Sequence, residues 1–272
     1  MIRRASVITD CFCANAALRQ SLAWSTLAKT DQPTITPIHG DVDGSGMLVD
    51  ALVETRGEKW VVFCQSAPRD RSKGDGSNGA KFGYFWKDQT LVLASLDGFM
   101  LSLSSRVGLM TSEMAIYSLD IPEVLGFAVA ERLLSGEASA SICRSQFRSL
   151  KFAPRAVRWI LDGVKIPSSP FPFSQIPEFG IRVWFVDNFG NCKTSLRVSD
   201  VEFREGKILH TSLGDFPCFR DLRSVPAGQH AAIVGSSGLE GDEFIELVVQ
   251  GVGSGSAAKR FGLSVGAIFE LK

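Results

Sequence analysis

Between Ser6 and Cys64 the chain alternates short apolar runs with longer amphipathic stretches, and this alternation restricts the fold more than any other feature. Ser6 to Thr9, Thr34 to Ile38 and Trp60 to Cys64 have the length and the bounding residues of strands. Asn15 to Lys29 carries Ala16, Leu18, Leu22, Ala23 and Leu27 at helical spacing, and Met47 to Thr55 reads as a shorter helix. Strand and helix in turn imply parallel strands with helices on both faces. Ligands of such sheets sit at the carboxyl ends of the strands. Three polar stretches fall there: Asp10 to Asn15, His39 to Asp43 and Gln65 to Arg71.

The pattern then changes. Asp70 to Gly83 is polar and glycine-rich and reads as a loop. Lys81 to Trp86 and Gln89 to Ala94 read as paired strands around a Lys87-Asp88 turn, and Leu125 to Leu134 as a helix. Lys165 to Phe179 holds four prolines, which exclude regular helix and central strand, so a linker is expected there. Beyond it lie short apolar runs separated by turn residues: 181–186, 193–198, 201–204, 207–210, 231–234, 244–249 and 267–271. They predict a small barrel. The expected fold is α/β: an N-terminal α/β sandwich with a mostly parallel sheet (1–164), a proline-rich linker (165–179) and a C-terminal β-barrel domain (180–272).

Charge narrows the partners. With 29 basic and 29 acidic residues the chain lacks the basic excess that phosphate backbones require, so nucleic acid is not expected. No apolar run approaches the roughly 18 residues of a membrane span. Met1 to Asp10 is basic but too short in its apolar part for a signal peptide. The six cysteines show no disulfide or zinc spacing, which predicts reduced thiols in a cytoplasmic protein.

Several residues carry chemistry. The apolar run to Val186 leads into Asp187-Asn188-Phe189-Gly190-Asn191. Phe189 offers a flat face to a planar ring, Asn191 both donates and accepts, and Gly190 permits close backbone approach. The plainer reading is a polar turn. Asp10, just after the first strand, suits a ribose diol or a helix N-cap. His39 after the second strand is a catalyst or an ordinary structural side chain. Asp41-Val42-Asp43-Gly44 has the flavour of a calcium loop but lacks its third acid and closing glutamate, so no metal is expected. Cys64 ends the third strand as a nucleophile or a small buried hydrophobe.

A strand followed by Asp187-x-Phe189-Gly190-Asn191-x-x-Thr194-Ser195 resembles the signature that opens the C-terminal domain of the S-adenosylmethionine hydroxide adenosyltransferase family, which includes the fluorinases and chlorinases. The resemblance implies that Phe189 stacks on adenine and Asn191 hydrogen-bonds it, with Asp187 beside them. It assigns Asp10 of Thr9-Asp10 to the ribose, and Asn15 to a position where a second acid often lies. Thr36-Pro37-Ile38-His39 is similar to the family's histidine-ending second strand. Ala94 to Leu101 is similar to a turn that puts Asp97 at the site. Phe219 matches a second, loop-borne ring facing adenine. Ser236-Ser237-Gly238 resembles a methionine-carboxylate contact of the hydrolase branch. Gln250, before a glycine-rich stretch, falls where backbone meets the adenine edge.

Two catalytic positions differ. Cys64 stands where the family has an aspartate, with Arg71 or Arg69 in the place of its arginine, and Leu119 to Val124 has no histidine where the family has one. The implied reaction is displacement at C5′ of S-adenosylmethionine by hydroxide or another small nucleophile, giving adenosine and methionine. The alternatives are an inactive homologue binding S-adenosylmethionine or adenosine, and a different enzyme using Cys64 and Arg71. No further cofactor is implied. A homotrimer with sites at subunit interfaces is.

Overall fold

A computed structural model describes residues 4–67, 81–251 and 255–272. The chain divides into two compact units, Met1–Pro177 and Glu178–Lys272.

The first unit is built on a seven-stranded sheet: β1 (Arg4–Thr9), β2 (Thr34–Pro37), β3 (Trp60–Gln65), β4 (Phe82–Lys87), β5 (Thr90–Ser95), β6 (Tyr117–Leu119) and β7 (Ser169–Pro170), in the order β2-β1-β3-β5-β4-β6-β7. Four neighbouring strands, β2, β1, β3 and β5, run parallel. The other three pair antiparallel, so the sheet is partly rather than mostly parallel. The reversal comes at the tight β4–β5 hairpin, where Asp88 takes a left-handed φ of 51°.

Alternation splits each strand between two cores. Val61 and Phe63 of β3 join one core, Val62 and Cys64 the other. The first core is covered by Trp24 and Ala28, in the π-helical turn that follows α1 (Ala14–Ala23), together with helices described below. The second is covered by Leu48 and Leu52 of α2 (Asp41–Glu54) and by Met100 and Leu101, which lead into α3 (Ser102–Arg106). Helix α4 (Ile121–Ala130) adds Val124, Leu125 and Ala128 to the first core. Then come α5 (Gly136–Cys143), α6 (Arg148–Lys151) and α7 (Ala153–Leu161), the last adding Ala153, Ala156 and Val157. The valines, leucines and methionine among these buried side chains each contribute about 1.5–3 kcal/mol relative to exposure.

Three expectations shift here. Helix α2 starts six residues earlier than read, because Asp43 caps it and turns Asp41 to Gly44 into its first turn. The helix expected from Leu125 begins at Ile121, because Asp120 caps α4 by accepting from the Glu123 amide at 2.9 Å. Residues 165–177 lie within the first unit: Ile166 is in its core, Ser169–Pro170 is β7, and Phe171, Phe173 and Ile176 pack on the second core.

The second unit is a six-stranded sheet of β8 (Val183–Val186), β9 (Cys192–Arg197), β10 (Ile208–Thr211), β11 (Gly214–Phe219), β12 (His230–Leu239) and β13 (Asp242–Val249), ordered β10-β11-β12-β13-β9-β8. Its strands alone form no closed barrel. Residues 266–272 touch both outer strands. The Val183 amide donates to Ala267 O at 2.9 Å, and the Ser212 amide to Glu270 O at 2.8 Å. Neither 201–204 nor 267–271 is a strand. Strand β11 was not expected, since Gly214, Asp215 and Pro217 interrupt its apolar pattern. Its pairing with β12 is confined to Cys218 and Phe219, so the missing Pro217 N–H leaves no gap there. A short helix, α8 (Ala257–Phe261), follows. Among the described residues no helix is long and apolar enough to cross a membrane.

Candidate functional site

In the first unit, the connection leaving β1 runs toward β2 on one side, and the chain leaving β3 continues on the other, toward β5 and β4. Such a divergence opens a crevice beyond the carboxyl ends of β1 and β3, and Asp10 sits there. Its amide donates to Gln65 O at 3.3 Å, and its Oδ2 accepts from the Ala67 amide at 2.8 Å. Behind it, buried Thr9 accepts from the Cys11 amide at 3.1 Å and donates to Gln65 Oε1 at 3.3 Å. Asn15 is exposed in the first turn of α1.

The other acids at this end hold backbone. Asp43, 1% exposed, accepts from the amides of His39 at 2.7 Å, Gly40 at 2.8 Å and Gly44 at 3.0 Å. His39 Nδ1 lies 3.3 Å from the same carboxylate while the side chain is 92% exposed. Asp41 accepts from the Phe99 amide at 2.7 Å and sits where a Cβ on Gly98 would be, so only glycine fits that turn. Asp97 accepts from the Lys81 amide at 2.8 Å.

Cys64 has no access to a substrate. It is fully buried, its Sγ 3.0 Å from Met100 Sδ and 3.5 Å from Gly44 O. Burial first, and then the charge of Asp43, pushes its thiol well above the usual range. A nucleophile needs the reverse, so Cys64 leaves the catalytic set and takes the role of a small core residue. Arg71 and Arg69 lie outside the described residues.

In the second unit, the β8–β9 turn is organised by one carboxylate. Asp187 Oδ1 accepts from the Phe189 amide at 2.9 Å and the Asn191 amide at 2.8 Å, and its Oδ2 accepts from Asn191 Nδ2 at 2.9 Å. This fixes the Asn191 amide group and leaves the Phe189 ring 75% exposed, the most exposed large apolar side chain described. Gly190 has φ 78°, and a Cβ there would strike Ser256. That close approach lets the Ala258 amide donate to Gly190 O at 3.0 Å. A cleft of about 620 Å³ opens beside Phe189, lined also by Asp187, Gly190, Gly255, Ser256 and Lys259. This is the size of a small-molecule site.

Ser236 and Ser237 belong to a cluster that sequence reading missed in part. Lys193 Nζ donates to Ser237 Oγ at 2.6 Å and Ser236 Oγ at 3.2 Å, pairs with Glu246 at 3.2 Å and lies 5.7 Å from the Trp184 ring centre. All three register breaks of this sheet surround it. Ser236 and Ser237 lie in the β12 break, and Lys193 pairs with Glu246 and with Phe185, each beside a break. Bulges of this kind re-aim side chains near binding sites. Two signals for the cluster were present in the sequence. Lys193 follows Asn191 by two residues, and Glu246 interrupts an apolar run.

Two expected site residues are not presented. Phe219 ends β11 rather than occupying a loop, and packs on Val225, Ala231, Ile233 and Val248. Gln250 donates its side-chain amide to Leu222 O at 3.0 Å, and its backbone pairs with Gly228 and Gln229. Among the described residues no cluster of three or more His, Cys, Asp or Glu could hold a metal ion.

No family model and no curated protein matches the chain. Several solved structures share its fold, among them two that span nearly the whole chain. One, an uncharacterized conserved protein from Thermotoga maritima, is 14% identical with a TM-score of 0.68, over 98% of this chain and 100% of the other. The second, a conserved hypothetical protein from Thermus thermophilus, is 17% identical with a TM-score of 0.59, over 99% and 100%.

Proposed function

We propose that the protein binds S-adenosylmethionine or its adenosine part, with adenine on Phe189 and Asn191. The observation that carries this reading is the Asp187-centred turn, which uses three hydrogen bonds to hold a bare aromatic ring and a fixed amide at the lip of a ligand-sized cleft. A plain polar turn needs neither. Asp10, at the crevice beyond β1 and β3, is the ribose partner in this reading; Asn15 lies in the first turn of α1, and His39 and Asp97 lie in the loops that leave β2 and β5. Lys193, with Ser236 and Ser237, supplies a cation and two hydroxyls for the methionine carboxylate. The tail that meets both outer strands of the second unit supports a barrel-like closure, as expected of the family resembled. The same resemblance supports a homotrimer with ligands at subunit interfaces.

Cleavage at C5′ by hydroxide, giving adenosine and methionine, is the reaction the resemblance supports. The burial of Cys64 favours the second reading, binding without turnover, because a protonated core thiol neither activates water nor attacks carbon. Calorimetric titration with S-adenosylmethionine, with chromatography of the same mixtures for adenosine, separates the two. Binding with adenosine release establishes the hydrolase, and binding alone the silent homologue. The absence of both sinks the proposal. Sedimentation as a monomer removes the interface sites.

A further inference from the structure

The opposite end of the first sheet carries a second cavity. It has about 380 Å³ and lies at the amino-terminal ends of β3 and β5, away from the strand ends that carry Asp10. Three elements converge on it: the β4–β5 hairpin with Trp86, Asp88 and Gln89, Lys59 just before β3, and the last turn of α7 with Arg158, Leu161 and Asp162. Trp86 is 44% exposed on a strand whose Phe82 and Phe85 are buried, so its indole is an open wall. Gln89 is held in place by donating to Gly57 O at 3.2 Å. Arg158 is held by Asp162, through Nε at 2.6 Å, which leaves its outer guanidinium nitrogens available to a ligand. Lys59 has no carboxylate partner among the described residues.

A flat apolar wall, two cations at the rim and one carboxylate, Asp88, not committed to either of them make a definite chemical pattern. We propose that this cavity is a second ligand site, for a planar aromatic acid that also carries a ring-borne N–H. The ring lies on Trp86. Its acid group meets Lys59 and the outer nitrogens of Arg158. Its donor meets Asp88. The site is independent of the S-adenosylmethionine reading and uses none of its residues.

The test is calorimetric titration of the whole protein with 2-aminobenzoate and with its uncharged analogue 2-aminobenzamide. Saturable binding of the acid is expected, about threefold tighter than the amide, the scale of a half-exposed ion pair. Trp86→Ala weakens both about tenfold. Lys59→Met and Arg158→Gln each lower the acid toward the amide and leave the amide unchanged. Phe189→Ala leaves all of these values as they were, which keeps this outcome distinct from the S-adenosylmethionine titration. Circular dichroism confirms that each variant folds. No saturable binding, equal binding of acid and amide, or binding indifferent to Trp86→Ala overturns the proposal.

Discussion

The carboxyl end of the first sheet and the β8–β9 turn of the second use the same chemistry to different ends. Both are built from carboxylates that accept backbone amides. In the first sheet Asp41, Asp43 and Asp97 fasten loops to one another and to the start of a helix. In the β8–β9 turn Asp187 does the same, but the turn it makes projects a ring that stays 75% exposed among the described residues of its unit. An acid near a strand end is therefore weak grounds for a site by itself. The exposed group that the acid holds is the stronger mark.

That contrast is open to measurement. The largest effect is expected from Asp43→Ala, which orphans the His39 and Gly40 amides beside a buried position and leaves the Gly44 amide only its bond to Gly40 O. It should lower unfolding free energy by about 3 kcal/mol in denaturant titration. Asp187→Ala comes next. Losing the turn should destabilise by about 2 kcal/mol and weaken S-adenosylmethionine binding as well, so both readouts move. Phe189→Ala separates them: binding should fall about tenfold, about 1.4 kcal/mol, with the unfolding midpoint unchanged because the ring is exposed. If the midpoint drops instead, the ring is part of the fold and the contrast fails.

The smallest effect concerns thiols. Cys192 is pushed up to about 12, by burial first and then by Asp187 and Glu246. Unfolded, it ionises near pH 8.5. Its burial therefore leaves stability untouched below that value and removes stability as pH rises from there toward 12. Cys192→Ala should flatten the alkaline loss by about 1 kcal/mol between about pH 9 and pH 10, read from thermal melts.

Much of this was legible in the sequence. The five strands and two helices read between Ser6 and Ala94 are present, because strong apolar periods and buried strands leave few alternatives. Boundaries moved where a side chain decided them: Asp43 began α2 early and Asp120 began α4 at Ile121 rather than Leu125. The proline-rich stretch misled for a physical reason. Proline forbids helix and central strand, yet Pro170 sits at a sheet edge and Phe171, Phe173 and Ile176 still seek a core. At the site, the Asp187 turn was visible as a local motif. Of the Lys193–Glu246–Ser237 cluster only separate parts were visible, because it joins strands about 50 residues apart through breaks in register that no local pattern announces.

The segment 266–272 has a consequence for assembly. It lies along the free rim of β8 at Ile181 and Val183 and along that of β10 at His210 and Ser212. Where it lies, the backbone groups that would otherwise recruit a foreign strand are already engaged. Copies of this unit cannot zip together through those stretches of peptide. Any self-association there has to run through side chains on sheet faces and loops, so surface charge and salt, rather than main-chain pairing, would govern it.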